Sequence, residues 1–366
     1  MALQSSGAIA LDDMHVEAGG NSGSTATIND ADIRDMIDKN SGATMAFNEW
    51  YGASSGLPGD IMLIGQGVTD DTSGADVLYI TVTSTGNTTD FGELIEGRHG
   101  NNGCGSSSTR ALVFGGTPYQ SDPFRASTEV VQYFTIITVG NGTDFGNLSS
   151  EIQSPEGVSY ETRCLSAGGT NSSGDVTTID YFTIASTGNA SDHGDLTVTM
   201  FNGCGGINST TRGIFVGGRR TGYNGGVSNV IEYVTMTSTG NASDFGDVLG
   251  ANVRDSSGHS SSTRGVINIG TYNNDTFSNV IHYVTIGSTG NSADFGDLTL
   301  GRYKSQASGN ATRGVCAAGK GLLGGGVYAK TIDYITYAST GNSTDFGDMS
   351  QSTEETWATS NAHGGL

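Results

Sequence analysis

Short apolar runs alternate with polar turns along most of this chain, and they do so at a fixed spacing. The clearest runs are VLYITV, VQYFTI, IDYFTI, IEYVTM, IHYVTI and IDYITY, centred on Tyr79, Tyr133, Tyr181, Tyr233, Tyr283 and Tyr334. Runs rich in β-branched and aromatic residues, bounded by Gly, Asn and Ser, predict strands. Seven residues after each tyrosine stands Gly-Asn, at Gly86, Gly140, Gly188, Gly240, Gly290 and Gly341, with intervals of 54, 48, 52, 50 and 51 residues. The chain therefore carries six copies of one unit.

Each Gly-Asn leads into Asp-Phe-Gly, with Phe91, Phe145, Phe245, Phe295 and Phe346 in five copies and His193 in the other. Thr-Arg pairs at Arg110, Arg163, Arg212, Arg264 and Arg313 open the apolar runs ALVFGG, CLSAGG, GIFVGG, GVINIG and GVCAAG, and IMLIGQG at Ile61 is the remaining copy. A strand before Thr-Arg, one ending at Gly-Gly, the tyrosine strand and a strand at Asp-Phe-Gly make four per repeat, the period of a propeller blade. The order resembles kelch repeats over residues 57–366, with Phe where those usually have Trp. The first copy lacks its Thr-Arg strand, whereas STEETWATSNAHGGL follows the sixth, so both ends can complete one blade and leave no open edge. This predicts an all-β, six-bladed, kelch-like β-propeller closed by the C-terminal strand, with Trp357 as the structural packing anchor.

Residues 1–56 carry none of these landmarks and predict a small module with one helix. In TINDADIRDMIDKNSG, Ile33, Met36 and Ile37 have helical spacing, Asn29 can cap, and the segment from Asn40 to Gly42 can stop it. The pieces SSGAIALDDMHVEAGG and MAFNEWYGAS resemble a leader at the start of virion structural proteins of tailed phages, especially marine ones. That resemblance implies a virion attachment module at 1–56, with the propeller of 57–366 displayed outside.

Composition sharpens the picture. There are 58 glycines but only 4 prolines, apolar residues make up 35% and charged residues 14%, so Ser, Thr, Asn and Gly carry the surface of a turn-rich folded chain. Sixteen Lys and Arg against 37 Asp and Glu give a net charge of −21, which opposes nucleic acid and anionic lipid as partners. No apolar window is long enough to span a membrane, and the start lacks the basic flank and apolar stretch of a secretory signal. Cys104, Cys164, Cys204 and Cys316 form no CxxC pair and read as buried small side chains.

Chemistry-bearing patterns are sparse. Asp-Phe-Gly occurs without the other kinase elements. Blocks such as GNASDFGD place Asp244 near Asp247 and invite calcium, but carboxylates satisfying turn amides need no ion. The histidines His15, His99, His193, His259, His282 and His363 are scattered, against a copper oxidase site. No GxSxG element and no Asp-box repeats suggest hydrolysis. Asn-x-Ser/Thr sequons at Asn87, Asn189, Asn241 and Asn342 follow from the repeat. No catalytic residue, metal site or cofactor is therefore assigned. The structural arginines Arg110, Arg212, Arg264 and Arg313, with Arg163, are expected to bridge to nearby aspartates.

In a four-stranded meander the Thr-Arg and Gly-Asn turns share one face, and both are nearly constant between repeats. The opposite face varies. It carries Tyr119, Phe124, Tyr223, Tyr272, Phe277 and Tyr328 in the loops after Gly-Gly, and Arg98, His99, Arg254, Tyr303 and Lys304 in the connections between blades. Aromatic rings beside polar side chains suit stacking on sugars. The expectation is a virion tail or neck appendage, present in multiple copies, that docks to other virion proteins and binds a host surface glycan. A head decoration or capsid fibre is one alternative, and a carbohydrate-active enzyme another.

Overall fold

The computed structural model describes residues 56–57, 59–68, 74–100, 103–118, 127–220, 226–250, 252–272, 276–321 and 327–366, together with Met14, Val16, Ile33 and Arg34. Six four-stranded antiparallel sheets form the blades of an all-β propeller. Their innermost strands are Gly103–Ser106, Glu156–Tyr160, Cys204–Asn208, Ser257–Ser260, Gln306–Gly309 and Trp357–Ser360, each beside the next and the last beside the first. Numbering follows the ring, so blade one is the one that joins both ends of the repeat array.

Blade one settles how the ring closes. Trp357–Ser360 pairs antiparallel with Ile61–Gly65, with Gly65 opposite Trp357 and Met62 opposite Ser360. Asp76–Thr81 and Thr89–Glu93 complete the sheet. Trp357 is fully buried and stacks on Phe134 of blade two, ring centroids 6.0 Å apart. Only glycine fits opposite it, because a Cβ at Gly65 would lie 1.9 Å from the indole nitrogen.

The core lies between blades. Met62, Ile64 and Ile80 of blade one pack with Val315, Ile332 and Phe346 of blade six, and equivalent layers join blades two to three, three to four, four to five and five to six. Second strands are sandwiched on both faces, which is why they read as unbroken apolar runs such as ALVF, buried throughout. Outer strands bury little beyond the Asp-Phe-Gly aromatic.

The chain divides into two compact units, one of residues 1–58 with 137–139 and one of 59–136 with 140–366. In the first, Ile33 and Arg34 are helical, while the rest of the helix expected after Asn29 lies outside the described residues. Met14 and Val16 are helical as well, where the apolar pattern predicted no helix; the preceding Asp12 and Asp13 are residues that favour a helix start. Met14 and Ile33 are buried.

Candidate ligand-binding face

The repeated landmarks join blades to one another. Each Gly-Asn turn lies against the outer strand of the preceding blade: Gly290 N–H donates to Phe245 O at 2.7 Å, and Asn291 Oδ1 accepts Asp247 N–H at 3.0 Å. The pair recurs at all six interfaces, including the closing one, where Gly86 N–H donates to Phe346 O and Asn87 Oδ1 accepts from Asp348 N–H. The Asp-Phe-Gly glycine follows from this approach. At Gly246, φ is +150° and a Cβ would lie 2.5 Å from Gly290 O.

The Thr-Arg arginines act at the same interfaces, and here the expected aspartate bridge is replaced. Arg110, Arg163, Arg212 and Arg313 lie 4.3–4.4 Å above Tyr133, Tyr181, Tyr233 and Tyr334 of their own blades, and Arg264 lies 4.8 Å above Tyr283. Each then donates from NH1 to a backbone carbonyl of the next blade: Ile184, Met236, Ile286, Tyr337 and Val82. Each tyrosine meets the Asp-Phe-Gly ring edge-on, as in Tyr233–Phe245 at 6.0 Å. Lying on this π face leaves the planar guanidinium donors free to reach a carbonyl of the next blade. Residues just before the tyrosines add further ties, with Gln132, Asp180 and Glu232 accepting the N–H of Ile95, Ser149 and Thr197 on the preceding blade.

The opposite face carries the differences between blades. Arg98, expected there as a ligand contact, is fully buried and donates to Gly115 O and Val130 O, a structural role. Its equivalent Arg302 is also buried, paired with Asp333 at 3.0 Å and bonded to Cys316 O. Tyr119, Phe124 and Tyr223 lie outside the described residues. Tyr272 is half-buried against the core between blades four and five.

The remaining three form one platform. Phe277 of blade five and Tyr303, on the connection into blade six, stack nearly parallel with centroids 4.6 Å apart and planes 7° apart. Tyr303 pairs across a short ladder with Lys320, whose ammonium lies 5.1 Å from the Tyr328 ring; Lys304 Nζ lies 5.6 Å from the Tyr303 ring. Glu354 sits between the two lysines at 4.0 and 3.8 Å, and Lys304 also pairs with Glu355. Burial holds the Glu354 carboxyl above its usual range even though both lysines pull it down. The result is a row of two tyrosines, two lysines and a carboxylate, half-buried and already ordered by mutual contacts. Lys320 and Glu354 had no signal in the sequence, since they meet only when blade six closes against blade one.

On the axis the inner strands approach closely. Small residues line it, and a Cβ at Gly157 would lie 1.9 Å from Cys104 O. A cavity of about 20 Å³ remains, lined among others by Cys104, Glu156, Ser159, Gly205, Gln306 and Thr359. The chain's last residues cover its other end: His363 Nε2 lies 3.0 Å from both Ser106 O and Ser159 Oγ, and His363 Nδ1 accepts Gly365 N–H. Nδ1 as acceptor makes Nε2 the protonated nitrogen, donating to Ser106 O. Cys164 and Cys316 are free and buried, and Cys104 is free and partly buried. Among the described residues no group of three or more His, Cys, Asp or Glu side chains is placed to hold a metal ion. Comparison with protein-family models finds no match for this chain, and comparison with curated proteins finds none either.

Proposed function

We propose that the chain is a virion structural protein of a tailed phage, a tail or neck appendage that displays its propeller to bind a host surface glycan. The observation that carries the binding role is the platform of Phe277, Tyr303, Lys304, Lys320, Tyr328 and Glu354. Rings held in place by stacking lose little entropy when a sugar ring covers them, and the adjacent lysines and carboxylate supply donors and acceptors for hydroxyls. Support for the virion role is the resemblance of residues 1–56 to phage leaders. The repeated Arg, Tyr, Phe, Gly and Asn side chains hold blades together, which leaves the variable face to carry recognition.

Two experiments test this reading. Particles carrying Tyr303→Ala with Phe277→Ala should lose most adsorption to host cells while the isolated propeller keeps its melting temperature; unchanged adsorption removes the platform as the receptor site. Deleting residues 1–56 should abolish incorporation into particles. Normal copy number after the deletion rules out the attachment role, and turnover of host polysaccharide by the purified chain would replace binding with catalysis.

A further inference from the structure

Glu354 stands between two ammonium groups without a hydrogen bond to either. Its Oε1 lies 4.0 Å from Lys304 Nζ and 3.8 Å from Lys320 Nζ, beyond hydrogen-bond reach of both, and its Oε2 is buried without a partner among the described residues. Side-chain exposure is 8% for Glu354, 19% for Lys304 and 28% for Lys320, so the carboxylate lies deepest and the lysines reach solvent. Each lysine also lies against a ring, Lys304 Nζ 5.6 Å from Tyr303 and Lys320 Nζ 5.1 Å from Tyr328. Charge here is already balanced. Lys304 pairs with Glu355 as well, and its backbone N–H donates to the carbonyl of Asp255, whose carboxylate pairs with Arg254 at 3.6 Å.

A group that enters beside Glu354 and Lys320 meets an acceptor on one side and a donor on the other. A hydroxyl serves both, since it donates to the carboxylate and accepts from the ammonium. The 3.8 Å separation leaves an oxygen room to lie about 2.8 Å from each. A sugar carboxylate or phosphate only accepts. It would face Glu354 with like charge, in a chain of net charge −21, and could hold a lysine only by displacing that lysine's own partner. We propose that the platform selects uncharged glycan, one hydroxyl bridging Glu354 Oε1 and Lys320 Nζ while the sugar ring lies against the aromatic side chains, and that it rejects glycan bearing carboxylate or phosphate. The assignment rests on the glycan reading and narrows its ligand class.

Polysaccharide extracted from host cells and split on an anion exchanger supplies the probes. The full chain should bind the uncharged fraction, and should bind the acidic fraction about tenfold or more weakly at equal sugar concentration. Glu354→Gln should weaken binding of the uncharged fraction by about tenfold or more, because the ligand hydroxyl loses a charged acceptor. An anionic ligand demands the opposite sign, since the same variant frees two lysines and would tighten its binding. Unchanged or tighter binding by a folded Glu354→Gln overturns the proposal, as does equal or stronger binding of the acidic fraction. Either result leaves the glycan reading in place so long as Tyr303→Ala with Phe277→Ala still abolishes binding. Wild-type binding of both fractions by that double variant overturns the glycan reading and this one together. Should Glu354→Gln not fold, the two fractions on the wild-type chain decide.

Discussion

His193 occupies the position that phenylalanine holds in the other five blades, meeting Tyr181 edge-on at 6.2 Å. Both its ring nitrogens are buried without a hydrogen-bond partner, and burial lowers its pKa. A buried unsatisfied polar group costs about 1–3 kcal/mol. His193→Phe should therefore stabilise the protein by about 1 kcal/mol or more, read as a higher melting temperature; a lower one would show that the imidazole has a partner. Buried ionisable residues set a pH optimum, among them Glu156, His363 and His259, the last lowered by burial to about 3 and acting in the same direction as His363. The Glu156 carboxyl, raised to about 8, contributes stability that is complete below its unfolded value near 4.5 and is lost as pH rises through 8. His363, which burial lowers to about 4, contributes stability that is complete above 6.5 and is lost as pH falls through 4. Thermal stability should peak between these arms, in the mildly acidic range. Glu156→Gln should flatten the alkaline arm and leave the acid arm in place.

At the level of the blade, two neighbouring glycines separate backbone preference from close approach. Gly240 and Gly246 both have φ near +150°, but a Cβ at Gly240 would meet open space while one at Gly246 would overlap Gly290 O. Gly240→Ala should cost about 1 kcal/mol, the strain of the left-handed backbone alone. Gly246→Ala adds overlap with the next blade and should cost about 1–3 kcal/mol more. Chemical denaturation of the two variants checks the order, and equal losses would mean that the Gly-Asn turn can move away. The arginine over each tyrosine belongs to the same interface. Ile61 stands where the other five blades have that arginine, so the junction of blades one and two lacks this tie.

For the whole molecule, stability rests on closing the ring. The layers between blades are equivalent, so opening one exposes two apolar faces, and the inner strand of blade one comes from the far end of the repeat array. Trp357→Ala should cost about 3–5 kcal/mol. Deleting residues 355–366 should cost more, since it also removes the strand beside Ile61–Gly65 and the His363 contacts on the axis. A melting temperature unchanged by the deletion would show that the blade closes without its inner strand.

The six-fold recurrence of Tyr, Gly-Asn, Asp-Phe-Gly and Thr-Arg determined the blade count, the strand order and the closing strand at Trp357. Each of these rests on local periodicity and on the need to leave no open edge, and both are written in the order of residues. What each landmark touches was decided by the tertiary structure. The Thr-Arg arginines lie on tyrosines of their own blades; four reach carbonyls 73 or 74 residues onward and Arg313 reaches Val82, 231 residues back, separations that no local pattern encodes. Arg98 looked like a ligand contact because its connection varies between blades, yet it is buried, and its guanidinium donates to two backbone carbonyls of blade two. Glu156, Gln306, Lys320 and Glu354 drew no notice in the sequence. They acquire neighbours only when six blades converge on one axis, where charge, burial and distance are set by parts of the chain far apart in order.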